Sequence, residues 1–304
     1  MGQTPLIREN RPCVVIVNQK SGSVFSQKKL EKIVNTGRTL TSQVEYVFPQ
    51  TRQSTIDSAY AATSAGTQTL MVWGGDGSIN AVLQGIMKAD SEGAPPPVVI
   101  PLGGGSGSDF LRTLRLKRHS DQQTVDIGVI EILDQGLTRF FINGFSFGVT
   151  AEIAKLKSSM PRWFPGPLKY FSATLLRLMR GDIFSKALIS DREHPSIISA
   201  LTLNGQFVGG GMRILSDTSL DDGVFEQVLL PQMGVLSILN VLKSVYLSGL
   251  AHHPRVQVTT SCDVFEIKLP TSTCCESDGE IFQASHLRIS IRKQAITIGR
   301  LPRI

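Results

Sequence analysis

Cysteine is scarce in this 304-residue chain, which has four, at Cys13, Cys262, Cys274 and Cys275. No two of them are spaced as Cys-x-x-Cys, so the sequence predicts neither a zinc ribbon nor the disulfide framework of a small secreted domain. A reducing, cytoplasmic compartment fits this usage best. The first eleven residues are polar and charged, which does not match a secretory signal peptide.

Charged residues are also few, at 18% against about 25% in an average soluble protein, whereas hydrophobic residues make up 41%. This content excludes an intrinsically disordered chain and suffices for one large domain or two medium ones. The 31 basic and 25 acidic residues leave a net charge of +6, which indicates an anionic partner such as nucleotide phosphate, nucleic acid or an acidic membrane surface. No recognised nucleic-acid-binding module is present, so nucleic acid is not expected as a partner.

Long hydrophobic runs are absent except at 233–250, where Lys243 is the one charged residue. Asn240 and Ser244 interrupt this run, and Pro231 precedes it. We therefore expect a buried helix, or one that touches a membrane surface, rather than a membrane span.

The first third of the chain alternates predicted strands with predicted helices. The strands are expected at 13–18, 44–48, 69–73 and 97–102, and the helices at 26–35, 52–65, 78–89 and 107–116, with Thr51 as an N-cap. Repeated β-α-β units indicate a parallel sheet with helices on both faces, and ligands of such sheets bind beyond the carboxyl ends of the strands.

From about residue 126 strand-like segments dominate. They are predicted at 125–132, 139–147, 197–203, 211–216, 225–230, 256–260, 264–269, 287–291 and 295–298, with helices at 167–179 and 233–250. This spacing predicts a β-sandwich or barrel. The fold class expected is thus an α/β domain over 1–130 followed by a β-sandwich domain over 131–287.

Glycine clusters follow the strands of the α/β domain. Gly74-Gly75-Asp76-Gly77-Ser78 ends a strand and opens a helix, where glycines permit close approach and helix-start amides bind phosphate oxygens. The Asp76 carboxylate would repel a triphosphate unless a cation lies between them, so the loop predicts a site for nucleotide phosphate and Mg²⁺. A plain strand-to-helix turn is the alternative.

Three further segments are weaker signals when each is taken alone. The loop at 18–22 is equally consistent with an ordinary polar loop, whereas a third glycine loop at 103–109, at the same sheet edge, is hard to explain by packing. Asp278-Gly279-Glu280 lies in a turn between strands, and on its residues alone a solvated turn is favoured.

In their order these segments resemble the signature of the diacylglycerol kinase catalytic domain, in its compact YegS-like lipid kinase form, a family related to sphingosine and ceramide kinases. The matching segments are Asn18–Gly22 (N-P-x-S-G), Gly74–Asn80 (GGDGT-x-N), Pro101–Phe110 (P-L-G-T-G-N-D-F), Asn204 with Gly209–Met212 (N-G…GGG-M), Asp221–Gly223 (D-D-G) and Asp278–Glu280 (D-G-E). They run from residue 18 to residue 280. The resemblance implies a three-layer α/β nucleotide domain and a β-sandwich, with ATP between them and residues 288–304 returning to the first domain.

The resemblance also implies roles for individual residues. ATP would be contacted by Asn18, Gln19, Lys20, Ser21, Gly22, Thr51, Gly74, Gly75, Asp76, Gly77, Ser78, Ile79, Asn80, Ser106 and Asp109. A structural Mg²⁺ ion would be bound by the Asp222 side chain and by the carbonyls of Ser219 and Val224. Asp278 and Glu280 would be the catalytic residues, with Asp278 as the general base for a lipid hydroxyl.

A lipid substrate requires contact with a membrane surface, for which the segment 155–186 is the candidate. It has seven basic residues against one acid, interleaved with aromatic and aliphatic side chains, a composition typical of interfacial docking. An ordinary amphipathic helix packed on the sandwich is the alternative. The expected location is cytoplasmic with peripheral membrane association, and the oligomeric state stays open, with a homodimer as one option.

Two other functions stay open at this point. NAD kinases and phosphofructokinases share a GGDG loop, although the T-x-D-x-D pattern of the latter and the Asn-Glu pair of the former are absent. The second alternative is a nucleotide- or lipid-binding relative without catalytic activity, because Gln19, Ala81 and Ser108 depart from the family pattern. The sequence does not name the lipid, for which diacylglycerol-like and sphingoid-like alcohols both qualify.

Overall fold

The computed structural model describes residues 13–20, 28, 31, 33–35, 43–104, 109–117, 120–161, 166–181, 185–215, 217–247, 254–262 and 264–300. The chain divides into two compact units. Unit 1 comprises residues 1–108, 117–125 and 294–304, and unit 2 comprises residues 109–116 and 126–293. The predicted ranges for the two domains differ from this division at 109–116, 126–130 and 288–293, which the sequence assigned to the first domain and which group with unit 2.

Unit 1 is an α/β unit built on a parallel sheet. Its elements are β1 (Cys13–Val17), β2 (Val44–Val47), α1 (Arg52–Ser64), β3 (Thr69–Gly74), α2 (Asp76–Ser91) and β4 (Val98–Gly104). The strand order is β2-β1-β3-β4, and Ile298 near the end of the last strand of the chain pairs in parallel with Val99. Strand β1 is buried along its whole length, as expected for a β-branched central strand covered on both faces.

Helices α1 and α2 pack closely because Gly85 has no side chain. A Cβ atom at this position would lie 2.3 Å from the Ile56 carbonyl oxygen and 2.8 Å from the Ala59 Cβ. The start of α1 is fixed by the predicted N-cap, Thr51, whose side chain accepts from the Ser54 N–H while Ser54 Oγ accepts from the Thr51 N–H. This reciprocal pair is a capping box, which sets the first residue of the helix.

Helix α3 (Asp109–Lys117) follows the third glycine loop, and residues 109–116 of it group with unit 2. Two hydrogen bonds account for that grouping. The Gln206 N–H donates to Thr113 Oγ1 over 2.9 Å, and the Gly210 N–H donates to Asp109 Oδ2 over 2.7 Å. The sequence could not show these partners because they lie about a hundred residues further along the chain.

Unit 2 is dominated by antiparallel strands. Its remaining elements are β5 (Gln122–Ile132, which starts in unit 1), β6 (Leu137–Phe141), β7 (Gly144–Gly148), α4 (Val149–Ser159), α5 (Gly166–Met179), β8 (Ser185–Ile189), β9 (Arg192–Leu203), β10 (Phe207–Val208), β11 (Met212–Arg213), β12 (Phe225–Pro231), α6 (Val235–Leu247), β13 (Gln257–Ser261), β14 (Phe265–Ser277) and β15 (Glu280–Gly299). The main ladder runs β13-β12-β9-β7-β14-β15, with β5 beside β6 and β15, and β8 beside β14 and β9.

Two apolar clusters stabilise unit 2. One gathers aromatic and aliphatic side chains such as Phe141, Phe145 and Phe225, with Phe141 and Phe225 stacked at a ring separation of 5.2 Å. The other joins helices α4, α5 and α6 to the sheet through residues such as Ile153, Ala173 and Val241. The strands therefore have an apolar core, as a sandwich-like fold requires.

Several predicted boundaries in this part of the chain are wrong. The segment 139–147 forms two strands, β6 and β7, and the segments 287–291 and 295–298 are parts of one strand, β15. The strand expected at 264–269 continues to Ser277, and the one expected at 211–216 has two residues, with Ser216 outside the described residues. Helix α4 and strand β8 were not predicted. Cross-strand pairing decides strand length here, and it leaves no local pattern.

The apolar run at 233–250 contributes helix α6, Val235–Leu247. Among the helices of the described ranges, none combines the length and the apolar character needed to cross a membrane.

Candidate functional site

The Gly74–Ser78 loop lies where β3 ends and α2 begins. Gly75 is the N-cap of α2, and no side chain caps the helix there. A Cβ atom on Gly74 would lie 2.3 Å from both Cβ and Oγ of Ser78, so the backbone turns too tightly for any other residue. The loop thus places the start of a helix directly after a strand, with no side chain at Gly74 or Gly75, and helix starts of this kind bind phosphate oxygens.

Asn18 joins the first predicted loop to this one. Its N–H donates to the Trp73 carbonyl over 3.0 Å, and its Nδ2 donates to Ser78 Oγ over 2.8 Å. Asn18 Oδ1 accepts from the Lys20 N–H, and Lys20 Nζ donates to the Gln50 carbonyl over 2.8 Å. Loops after β1, β2 and β3 are therefore connected at the carboxyl edge of the sheet. Gln19 is exposed there, whereas Ser21, Gly22 and Ser106 lie outside the described residues.

Arg52 is a residue of this edge that the sequence did not single out. One guanidinium nitrogen donates to the Gly77 carbonyl over 3.2 Å, and the other donates to Asn80 Oδ1 over 2.6 Å. The start of α1, next to Thr51, is thereby tied to the glycine loop. Ile79 and Asn80, predicted to contact ATP, are 2% and 1% exposed, so the Ile79 side chain is buried in the packing of α2 and the buried Asn80 amide is bound to Arg52.

The residues of this edge fit a phosphate chain in their chemistry. They combine a helix start, a backbone without side chains at Gly74 and Gly75, and the Lys20 ammonium. Asp76, in the first turn of α2, is the exception and is the group that a divalent cation would need.

The second set of candidate residues lies in unit 2, at the turn between β14 and β15. Asp278 and Gly279 form a two-residue hairpin loop, with Ser277 paired to Glu280 and with φ of +48° and +88° at the two loop residues. Positive φ at both positions is what a type I′ turn requires, and Asp-Gly is a preferred sequence for it. The Asp-Gly pair therefore also has a purely structural explanation as a favourable hairpin turn.

The Asp278 side chain is nevertheless held in place rather than solvated. Its Oδ2 accepts from the Ile142 N–H over 2.9 Å, and its Oδ1 accepts from the N–H groups of Asn143 and Gly144, both over 3.0 Å. The Asp278 N–H in turn donates to the Gly144 carbonyl over 3.0 Å. Three main-chain donors fix the carboxylate and stabilise its negative charge, which an ordinary exposed turn residue does not have.

Two family descriptions match the chain in sequence, and together they span residues 12–300. Residues 12–139 match the diacylglycerol kinase catalytic domain, and residues 144–300 match the YegS C-terminal NAD kinase β-sandwich-like domain. The chain belongs to the diacylglycerol kinase catalytic domain family, in its YegS-like form.

Individual proteins agree with this membership. The chain is 26% identical over 311 residues to a Serratia proteamaculans protein named "Probable lipid kinase YegS-like", covering 96% of this chain and 94% of that one. It is 23% identical over 246 residues to a Staphylococcus aureus (strain N315) protein whose name also describes a lipid kinase, covering 75% and 76%. A crystal structure of a Bacillus anthracis diacylglycerol kinase superposes with a TM-score of 0.69 at 15% identity, covering 96% of this chain and 97% of that one, which shows the shared fold.

Asp109 lies in unit 2, whereas the Gly74–Ser78 loop lies in unit 1. In unit 2, Asp109 Oδ2 accepts from the Gly210 N–H, and burial raises the pKa of its carboxyl group, while the Gly210 amide and the Lys157 and Arg112 cations oppose that shift. Gly210 is the second of three successive glycines with positive φ, at residues 209–211. Lys157 Nζ donates to the Gly209 carbonyl over 2.9 Å. The sequence assigned Lys157 only to the basic segment 155–186, and not to this cluster.

The Asp-Asp-Gly motif of the family lies in a loop that Asp126 braces. The Gly223 N–H donates to Asp126 Oδ2 over 2.7 Å, and the Asp126 N–H donates to the Leu220 carbonyl over 2.6 Å. Asp222 is exposed, and its Oδ1 accepts from the Val224 N–H over 3.2 Å. Ser219 Oγ donates to Asp221 Oδ1 over 2.7 Å.

Negative charge collects around this loop. Burial, followed by the charges of Asp222 and Asp217, raises the pKa of Glu226 to about 7. In the described part of the chain no three His, Cys, Asp or Glu side chains come together as a metal site. The predicted Mg²⁺ set does not need three, because two of its three ligands are the carbonyls of Ser219 and Val224. The loop therefore fits a hard cation in donor type and in charge.

Proposed function

We propose that this protein is an ATP-dependent lipid kinase, which transfers the γ-phosphate of ATP to the hydroxyl of a diacylglycerol-like or sphingoid-like lipid. The observation that supports it best is the Asp278 carboxylate, held by three main-chain amides at the position that the family motif marks. Membership in a kinase family implies ATP as the phosphate donor and a divalent metal beside it.

In this proposal unit 1 binds the ATP phosphates. The amides of the Gly74–Ser78 loop, with Lys20 and Asn18 beside them, supply the donors, and Thr51 and Arg52 keep the neighbouring helix start in place. Asp76 would hold Mg²⁺ against the phosphates, and Asp222 with the carbonyls of Ser219 and Val224 would hold the structural Mg²⁺. When bound, the metal neutralises charge that develops on the phosphate oxygens during transfer.

Unit 2 supplies the group that receives the proton of the lipid hydroxyl. As the new O–P bond forms and the bond between the β- and γ-phosphates breaks, ADP leaves and the hydroxyl proton passes to the Asp278 carboxylate. Transfer of this kind depends mainly on positioning and charge stabilisation, so a weak base suffices. The three amides that hold Asp278 supply the positioning. Glu280, which opens β15 immediately after the turn, would orient Asp278.

The test is transfer of labelled γ-phosphate from Mg²⁺-ATP to a panel of hydroxyl lipids in mixed micelles. We expect one class of lipid to be labelled by the wild-type protein, and Asp278→Asn to lower the rate by about 10²- to 10⁴-fold, as for removal of a general base. Asp134→Asn is the matched control, because Asp134 in the same unit also accepts hydrogen bonds, from Ser285, and lies outside the motif.

Other outcomes of this test would contradict the proposal. Full activity of Asp278→Asn would reject Asp278 as the base. ATP binding without labelling of any lipid would favour a non-catalytic binder, and labelling of a soluble alcohol instead would favour a metabolite kinase.

We further propose that the protein contacts the lipid surface through the segment 155–186. Helix α5 exposes a stripe of large apolar side chains on one face, formed by Phe171, Leu175, Leu176 and Met179, which are 41–78% exposed. Beside it a cavity of about 700 Å³ is lined by Lys155, Arg177, Arg180 and Lys186, with Glu152 paired to Arg177. An apolar stripe on the same segment as an excess of basic side chains is suited to a membrane that contains anionic lipid.

Vesicle sedimentation tests this contact. We expect binding to vesicles of phosphatidylglycerol and phosphatidylcholine, weakened by salt, and much less binding to phosphatidylcholine alone. Met179→Ser should weaken binding, whereas Leu236→Ser, which removes an 83% exposed apolar residue from α6, should not. Equal losses from both substitutions, or binding that does not respond to salt, would contradict the proposal.

A further inference from the structure

A second carboxyl group lies two residues before Asp278, on Glu276, which no motif in the sequence marks. Ser146 Oγ donates to Glu276 Oε2 over 3.0 Å, and the Gly279 N–H donates to Glu276 Oε1. Ser146 is directly opposite Glu276 in the β7–β14 ladder, two residues after Gly144, whose N–H holds Asp278. The same strand, β7, therefore fixes both carboxylates.

The hydrogen bond from the Gly279 N–H to Glu276 joins the residues that come before and after Asp278 in the turn. Asp278 has a φ of +48°, a conformation that residues other than glycine seldom adopt and that the surroundings must hold in place. The amides of residues 142–144 hold its side chain, and Glu276 holds the main chain that follows it. Loss of the Glu276 carboxylate would release the Gly279 main chain and leave the turn held by the Asp278 side chain and by the bond from the Asp278 N–H to the Gly144 carbonyl.

We propose that Glu276 is a positioning residue for phosphoryl transfer, one that holds the Asp278–Gly279 turn against strand β7. This inference rests on the proposed function and names a further residue of the same site. Glu276 acts through Asp278 and takes no proton from the substrate.

The surroundings of Glu276 determine when it is ionised. Burial is the largest influence and raises its pKa to about 7; the Gly279 amide and the Ser146 hydroxyl lower it, Asp278 raises it, and Lys157 from α4 lowers it. On its own strand, the thiols of Cys274 and Cys275 also lie near enough to feel its charge. Glu276 therefore gains its charge as the pH rises through neutrality.

Ionisation strengthens the bond by which Glu276 holds the turn. A carboxylate accepts the Gly279 N–H more strongly than a neutral carboxyl group does. The turnover number should therefore rise as the pH passes upward through about 7.

The experiment is the pH profile of kcat for the lipid that the wild-type protein labels, measured beside Glu276→Gln. We expect the wild-type rise near neutrality to be missing in the variant, with kcat lower by about tenfold at high pH, the equivalent of one charge-assisted hydrogen bond. The KM for ATP should not change. Ser146→Ala should move the wild-type inflection to higher pH, because the Ser146 hydroxyl lowers the pKa of Glu276.

Glu266→Gln is the matched control, since Glu266 is on the same strand but pairs with His286 and Arg288, and the profile should keep its inflection. An unchanged inflection in Glu276→Gln would overturn the inference. So would a loss of about 10²- to 10⁴-fold, which would mark Glu276 as the base itself. If the wild-type protein labels no lipid at all, the proposed function fails. If it labels a lipid but its pH profile is the same with and without the Glu276 carboxylate, only the role of Glu276 fails.

Discussion

Gly74 is required by the local backbone geometry and also belongs to the proposed phosphate site. A Cβ atom there would meet Cβ and Oγ of Ser78 at 2.3 Å, and Ser78 is 6% exposed and fixed in the first turn of α2. Gly74→Ala should therefore cost about 1–3 kcal/mol of unfolding free energy, the usual range for overpacking, and weaken ATP binding. Denaturant unfolding and titration with an ATP analogue measure the two effects.

Gly234→Ala is the control for that substitution, because a Cβ atom at Gly234 meets nothing within 4 Å. We expect it to leave both quantities near their wild-type values. A Gly74→Ala protein that bound the analogue as tightly as wild type would remove the glycine loop from the phosphate site.

Asp278 shows how far a single residue can be interpreted from sequence. Asp-Gly between two strands predicts a tight turn, and the turn is confirmed. On its residues alone, however, the turn was expected to be solvated, whereas the carboxylate binds amides at residues 142–144, more than 130 positions earlier. No local pattern encodes such a partner, and for the same reason Glu276, Arg52 and Asp126 were not recognised.

At the level of elements, the strongest sequence signals came from β-branched runs and caps. The predicted strands at 44–48 and 69–73 and the helix at 52–65 are confirmed to within a residue at each end, and Thr51 is the N-cap. Strand boundaries in the antiparallel part of the chain were harder to predict, because pairing between distant strands determines where each strand ends. The division of 139–147 into β6 and β7 places the amides of residues 142 and 143 outside any ladder, where they bind Asp278.

The packing of α1 on α2 leads to a prediction in which two effects of one substitution oppose each other. Gly85→Ala gains about 1 kcal/mol in helix propensity. The new Cβ, however, would lie 2.3 Å from the Ile56 carbonyl oxygen, a main-chain atom that cannot move without shifting α1. We expect the clash to dominate and the protein to be destabilised by about 1–3 kcal/mol in urea unfolding. Stabilisation would show that the two helices can move apart at little cost.

The capping box of α1 leads to a milder prediction. Thr51→Ala removes the acceptor for the Ser54 N–H, which should cost about 1 kcal/mol of unfolding free energy, whereas Thr51→Ser keeps the hydroxyl and should cost little. Because α1 begins beside the glycine loop, we also expect the KM for ATP to rise in Thr51→Ala and not in Thr51→Ser. An equal rise in both would assign the effect on ATP to the threonine methyl group instead of the cap.

At the scale of the whole molecule, individual carboxyl groups affect the stability in opposite directions as the pH changes. The pKa of Glu276 is raised to about 7, so the folded protein holds that proton more tightly than the unfolded chain does, and the associated stability is present below about pH 4.5 and lost as the pH rises to about 7. Glu226 acts in the same direction. Glu266 acts in the opposite one, because hydrogen bonds from His286 and Arg288 lower its pKa to about 2, and its contribution is lost as the pH falls through that value.

The Glu276 carboxylate is therefore kept at a cost in stability, which the proposed positioning role would explain. Glu276→Gln has the same shape without the charge, so it should raise the melting temperature at pH 8 and leave it almost unchanged at about pH 4.5, where Glu276 is already neutral. The gain at pH 8 has an upper limit of about 3 kcal/mol, from the difference between the folded and unfolded pKa values. Calorimetry at the two pH values measures it without any substrate. Glu266→Gln should have the opposite sign at pH 8, and a Glu276→Gln protein equally shifted at both pH values would show that the side chain contributes through packing instead of through its charge.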